Sequence, residues 1–195
     1  MSLKTPSENW FERTAERAYL ATIVAVARYG ALFVQFALLR VSDHDQWVSW
    51  VFLPAGVAVI AALVLGNCAV PGLVLGSFLW NMSGHPMPLL DNVLLSLASG
   101  LAAWLTLLTF RRLKGFSASE TWRNYSVFDI IGFLGLHAAL NSGLNHLIFL
   151  LPASKRHFAF ESLGASLVGD FAGGLLLFVM LNLLMALVLF VLRRT

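Results

Sequence analysis

Long apolar runs joined by short polar segments dominate the chain. A hydrocarbon core about 30 Å thick takes roughly 20 helical residues to cross. Six runs are candidates: Tyr19–Leu39, Trp47–Leu65, Cys68–Trp80, Leu89–Phe110, Val127–Leu151 and Leu163–Leu192. The third is short and must tilt little or enter only part way, whereas the sixth is long and must tilt strongly or carry its last turns out of the bilayer. The pattern predicts an all-α, polytopic helical membrane protein with about six transmembrane helices. Residues 1–18 read as a charged amphipathic segment on the inner surface, with Ser7 as an N-cap candidate, and residues 19–195 as a single transmembrane domain. The first run is longer than a signal-peptide core, lacks a small-x-small cleavage site and is expected to remain as span one. The longest joint, Arg111 to Ser126, has about 16 residues, too few for a soluble domain.

Composition agrees with the pattern. Of 195 residues, 58% are hydrophobic and 12% charged, and the mean hydropathy is +0.78, far from what a soluble surface needs. Lys and Arg exceed Asp and Glu by 13 to 10, but the basic residues flank apolar runs, so they read as topology signals rather than as a nucleic-acid surface. With six spans and a cytoplasmic start, Lys4, Arg13, Arg17, Arg111, Arg112, Lys114, Arg123, Arg193 and Arg194 lie inside and only Arg40, Lys155 and Arg156 outside. The positive-inside rule therefore places both termini in the cytoplasm. Cys68 alone allows no internal disulfide, and no Cys/His set has zinc spacing.

The informative residues are the polar ones inside the spans. A charge at mid-membrane costs on the order of 3 kcal/mol on insertion scales, so such residues face the bundle interior and find partners. Asp170 lies about eight residues below the outer end of span six, and Asn141 and Asn145 lie about ten and six below that of span five. His137, Asn141 and Asn145 share a helix face, as do Arg28 and Gln35 in span one. Arg28 with Asp170 is the expected pair, either as a structural ion pair or as the lining of an outer-half pocket that receives an anionic group. Asp91, at the mouth of span four, is the second candidate partner of Arg28. Pro54-Ala55-Gly56 is expected to interrupt span two and free backbone carbonyls at the same depth, and Gly169, Gly173 and Gly174 to admit a neighbouring helix beside Asp170. The predicted ligand-binding polar pocket is Arg28, Gln35, Pro54, Gly56, Asn81, His137, Asn141, Asn145, Asp170 and Gly173.

Other polar groups change less. His44, His85, His146 and His157, with Asp43, Asp45, Met82 and Met87, gather near the outer face but follow no ligand spacing, so no metal site is assigned. His137 and Ser142 are the candidates for a base and a nucleophile, yet five residues separate them by roughly 140° around a helix. No catalytic residue is assigned, and an enzyme is not expected. Trp10, Trp47, Trp50, Trp80 and Trp122 sit near span ends, as interfacial anchors do, while Trp104 lies inside span four.

The run Trp50 to Gly66 (WVFLPAGVAVIAALVLG), the run Val70 to Asn81 (VPGLVLGSFLWN), Ala102-Ala-Trp-Leu, Arg111-Arg-Leu and Gly169-Asp-Phe-Ala-Gly173 follow one another in an order that resembles the membrane-associated sensor family of type one, the first MASE class. The resemblance covers roughly residues 47–181 and rests on Pro54, Ala55, Gly56, Pro71, Gly72, Gly76, Asn81, Gly169, Asp170 and Gly173. It implies a sensory module of a bacterial inner membrane, of the kind attached to a histidine kinase, diguanylate cyclase or phosphodiesterase. Leu53 stands where a second proline is usual, and no output domain accompanies the spans.

The leading expectation is a ligand-binding sensory module that signals to a membrane or cytoplasmic partner, a kinase or cyclic-dinucleotide enzyme, by rearranging helices around the polar pocket. The alternative is the substrate-binding subunit of a vitamin or metal uptake transporter, which six spans in about 195 residues also resembles. The bilayer is the partner common to both, homo-oligomer formation is compatible with either, and the ligand or cofactor is left open.

Overall fold

The computed structural model describes residues 6–39, 43–45, 48–84, 88–115, 125–150 and 160–192. Helix α1 runs from Pro6 to Phe33 and continues as a π-helical segment, Val34–Leu39. The expected surface segment and span one are therefore a single helix over the described residues. A short antiparallel pair, β1 (Asp43–Asp45) with β2 (Val48–Ser49), leads into α2 (Leu53–Leu65). A 3-10 turn, Gly66–Cys68, joins α2 to α3 (Ala69–Gly84), and α4 (Leu89–Lys114), α5 (Val127–Phe149) and α6 (Phe160–Leu192) follow.

The chain is an all-helical membrane-type fold in which five helical stretches are long and apolar enough to cross a membrane: Arg13–Phe36, Leu53–Ser83, Leu89–Lys114, Val127–Phe149 and Ser162–Leu192. The second of these combines α2 and α3, and it folds back on itself. Arg28 binds both Pro54 at the start of α2 and Ser77 in α3, two positions that a straight helix would hold about 35 Å apart. The reversal falls where Gly66 adopts φ +59, a left-handed conformation open to glycine at no steric cost.

Span two differs from expectation at its start. Val48–Ser49 is extended, helix begins only at Leu53, and Pro54 sits in the first turn. Proline there sacrifices no helical hydrogen bond and its fixed φ suits the helix, so it starts α2 rather than breaking a longer span.

Residue pairings fix the directions. Gly72 faces Ala21 and Val24, and Gly76 faces Ala25 and Arg28, so α1 and α3 run parallel. Consecutive helices run antiparallel: Ser77 with Ser99 and Asn81 with Ser96 (α3, α4), Thr106 with His137 (α4, α5), and His146 with Ser162 and Asn141 with Asp170 (α5, α6). Phe52 meets Gly169, and Gly56 meets Leu177, so α2 lies parallel to α6.

Small residues make these approaches possible, as expected where lipid removes any hydrophobic drive between helices. A Cβ on Gly76 would stand 2.6 Å from the Ala25 carbonyl oxygen, and one on Gly56 would stand 2.7 Å from Leu177 Cβ. The core they surround is built from Val24, Ala58, Val59, Leu73, Leu107, Phe133 and their neighbours. At one end of the bundle, α4 stops at Gly115 (φ +68), and α5 starts with a capping box between Ser126 and Asp129. Lys114 pairs with Asp129 at 2.6 Å across that end.

Trp80, expected as an interfacial anchor, is buried between Tyr29, edge-on at 5.6 Å, and Phe36, stacked at 5.8 Å. It sits on the buried face of α3, where the bundle and not the interface claims it. Trp104 is exposed on the outer surface of α4.

Candidate functional site

Three consecutive backbone units at the start of α2 are held by two other helices. Phe52 N–H donates to Gly169 O of α6 at 2.8 Å. Leu53 N–H donates to Gln35 Oε1, from the π-helical continuation of α1, at 3.2 Å. Pro54 O accepts from Arg28 Nη1 of α1. The first N–H groups of a helix have no partner within it, and Phe52 supplies no side-chain cap, so α1 and α6 cap α2 in place of a residue of its own.

Glycines on α6 make room for this. A Cβ on Gly173 would overlap the Phe52 carbonyl group and come within 2.8 Å of Leu53 N. Gly173 thus leaves room for the incoming backbone, and Gly169, one turn earlier, accepts from it through its carbonyl oxygen. Gly174 faces the other way, toward Leu134.

Arg28 lies to one side of this segment and is 5% exposed. Its Nε donates to Ser77 Oγ at 3.1 Å and its Nη2 to Ser99 Oγ at 3.0 Å, in addition to the bond with Pro54. The two serines are themselves 3.2 Å apart, and the Phe52 ring centroid lies 5.7 Å from the guanidinium carbon. One side chain therefore ties together α1, α2, α3 and α4.

Asp170 is 3% exposed. Its Oδ2 accepts from Asn141 Nδ2 at 2.8 Å and from Ser142 Oγ at 3.2 Å. Ser142 also approaches Ser166 Oγ at 3.1 Å, and its carbonyl oxygen is 3.1 Å from His146 Nδ1.

The expected ion pair does not form. Arg28 donates to two hydroxyls and a carbonyl and Asp170 accepts from an amide and a hydroxyl, so the bonds that hold each charge come from neutral groups. The two interact electrostatically without contact. The guanidinium fork matches three acceptors fixed around it, and satisfying them requires no carboxylate.

The remaining predicted residues divide. Gln35, Pro54, Gly56, Asn141 and Gly173 belong to the arrangement around the start of α2. Asn81 does not: its Nδ2 reaches Ser96 Oγ at 3.4 Å, and Ser96 in turn donates to Asn92 Oδ1 at 3.2 Å. His137 is buried against Thr106, its Nδ1 3.4 Å from Oγ1. His137 and Ser142 thus engage different partners. Asn145 is half-buried and takes no part in binding Asp170; Ser142 has that role. Asp91 is not the partner of Arg28: it is buried at the start of α4, and its Oδ2, like the adjacent Asn92 Nδ2, has no hydrogen-bond partner.

Ser77, Ser99 and Phe52 are the functional neighbours that charge and amide counting missed. The signal was faint, a serine beside Gly76 and another beside Gly100 in otherwise apolar helices. Among the described residues no group of three or more His, Cys, Asp or Glu side chains is placed to hold a metal ion. His85, Met87 and His157 lie outside the described residues, as do Trp47, Trp122, Lys4, Arg40, Arg123, Lys155, Arg156, Arg193 and Arg194.

No protein-family model, curated protein or solved structure matches the chain. The reading of the site therefore stands on its geometry.

Chemically, the arrangement binds the backbone at the start of α2 to Arg28 on one side and to the turn of α6 that carries Asp170 on the other, with each buried charge bonded to neutral groups.

Proposed function

We propose that the chain is a sensory, ligand-binding module of a bacterial inner membrane, with six antiparallel crossings and both termini on the cytoplasmic side. The observation that carries this reading is the start of α2, clamped by α1 and α6 through Arg28, Gln35 and Gly169, with the two buried charges of those helices left unpaired. Opposite charges in a low-dielectric interior attract strongly, so keeping them apart while each is neutrally solvated gives a second arrangement, the paired one, within reach. A cue that binds the two arrangements with different affinity shifts the balance between them. The shift moves α6 against α2, and a kinase or cyclic-dinucleotide enzyme on the cytoplasmic side reads it. Six crossings are supported by the reversal at Gly66 and the alternating helix directions, and the cytoplasmic termini by Arg13, Arg17, Arg111, Arg112 and Lys114 at one end of the bundle. The order of short motifs shared with the first MASE class supports the same reading.

A diguanylate cyclase domain fused after Thr195 tests it. Asp170→Asn should shift cellular cyclic dinucleotide several-fold at unchanged accumulation. Output that falls only in step with the amount of protein would make the Asp170 cluster structural. Solute uptake that depends on the chain, with an ATPase that co-purifies, would identify a transport subunit instead.

A further inference from the structure

The second half of α6 is the longest exposed helical stretch among the described residues. From Val179 to Leu192 every residue is exposed, although the same helix is packed on α2 and α5 between Ala165 and Gly174. At 33 residues, α6 is about 50 Å long. Over the last fourteen residues, about 20 Å, every side chain is exposed.

This stretch, VMLNLLMALVLFVL, holds one polar side chain, Asn182. Its Nδ2 donates to Phe178 O one turn back at 2.8 Å, leaving a second N–H and the Oδ1 without a described partner. An amide with a spare donor and a spare acceptor is self-complementary: the group that satisfies both is another amide of the same kind. Lipid chains offer neither.

Spacing points the same way. Leu175, Val179, Asn182, Ala186 and Leu189 recur at intervals of four, three, four and three, the repeat that keeps one seam of a helix facing a partner helix in a left-handed pair. All five are exposed. Ala186, the smallest residue of the stretch, lies on this seam one turn from Asn182 and permits close backbone approach. Every seam on this stretch is apolar, but only this one carries the amide.

We infer that the exposed half of α6 docks against α6 of a second copy of this chain, in a two-fold pair whose contact is Leu175, Val179, Asn182, Ala186 and Leu189, with Asn182 bonded to Asn182 of the partner. A two-fold axis brings equal positions together, so one amide serves both copies. The inference needs α6 in the bilayer and does not rest on the sensory reading.

The test is disulfide trapping of the full chain in bilayers, with Cys68→Ser as background. Ala186→Cys should trap a dimer readily and Leu184→Cys, roughly 200° around the helix, should not. Dimer affinity, followed by energy transfer at varied protein-to-lipid ratio, should fall about tenfold for Asn182→Leu and be largely kept by Asn182→Gln. Trapping at 184 as strong as at 186, a monomer at all ratios, or an Asn182→Leu variant as dimeric as the parent would each overturn the proposal. Since Asn182→Leu removes only a lipid-exposed amide, its folding is expected to be intact. Output of the fused cyclase is measured on the same variants, so loss of pairing and loss of signalling are read separately.

Discussion

The two buried charges, Arg28 and Asp170, are buried to a similar degree, yet they are held differently. Arg28 is bound through three nitrogens to three helices other than its own, whereas Asp170 is bound through one oxygen to adjacent residues of a single helix, α5. A group tied to three elements fixes their relation and has nowhere to go. One tied to a single element can exchange partners while the rest of the bundle stays in place. Under the proposed sensory function, Arg28 serves architecture and Asp170 serves change.

The comparison is sharpest at Arg28. Replacing it with alanine strands two hydroxyls and a carbonyl in the interior and is expected to cost about 3–5 kcal/mol, read as a fall in the denaturant midpoint of the purified protein. Arg28→Lys keeps the charge but not the planar fork and should recover only part of that loss. A parent-like midpoint for Arg28→Ala would remove the architectural role.

Gly173→Ala probes the slot between the two. Its added Cβ collides with backbone rather than with a flexible side chain, so α2 and α6 must separate, at an expected cost of about 1–3 kcal/mol. A fall of that size in the stability of the purified variant, read from its denaturant midpoint, checks it. Asp170→Asn retains shape and one acceptor and loses the charge-assisted strength of its two bonds, about 1–2 kcal/mol, with a folded protein and an altered output. A larger loss than that of Arg28→Ala would reverse the assignment of roles.

Ser142→Ala should cost about 1 kcal/mol through the single bond to Asp170. Asn145→Ala, which touches none of this, should stay within about 0.5 kcal/mol of the parent in the same titration. A larger effect at Asn145 than at Ser142 would mean that the carboxylate uses the face of α5 that spacing suggested.

Much of the site was legible in the chain because charge and amides in apolar runs have few explanations. Arg28, Gln35, Asn141 and Asp170 were found that way, and all four are buried and hydrogen-bonded around the start of α2 or beside it. What misled was treating opposite charges as obligatory partners. Serines in helices carry no such flag, since a hydroxyl is cheap to bury once bonded: Ser77 and Ser99 bear no mark in the sequence, and Ser142, a candidate nucleophile there, turns out to bind Asp170. Pro54 was read as a break because apolar residues precede it. Extended backbone at Val48–Ser49 is equally apolar, and hydropathy does not distinguish it from helix.

Hydropathy alone fixes an all-helical chain with helices apolar and long enough to cross a membrane, the bounds of the last three helices to within about a turn, and the polar residues that the interior must accommodate, because the bilayer penalises every unsatisfied group and leaves few solutions. Only the tertiary structure decided which partners answer which charges. That depends on where Gly72, Gly76, Gly169 and Gly173 let backbones approach, and on the fold-back at Gly66 that brings Pro54 and Ser77 to the same arginine. Those distances arise from helix packing between residues far apart in the chain, and no local pattern encodes them.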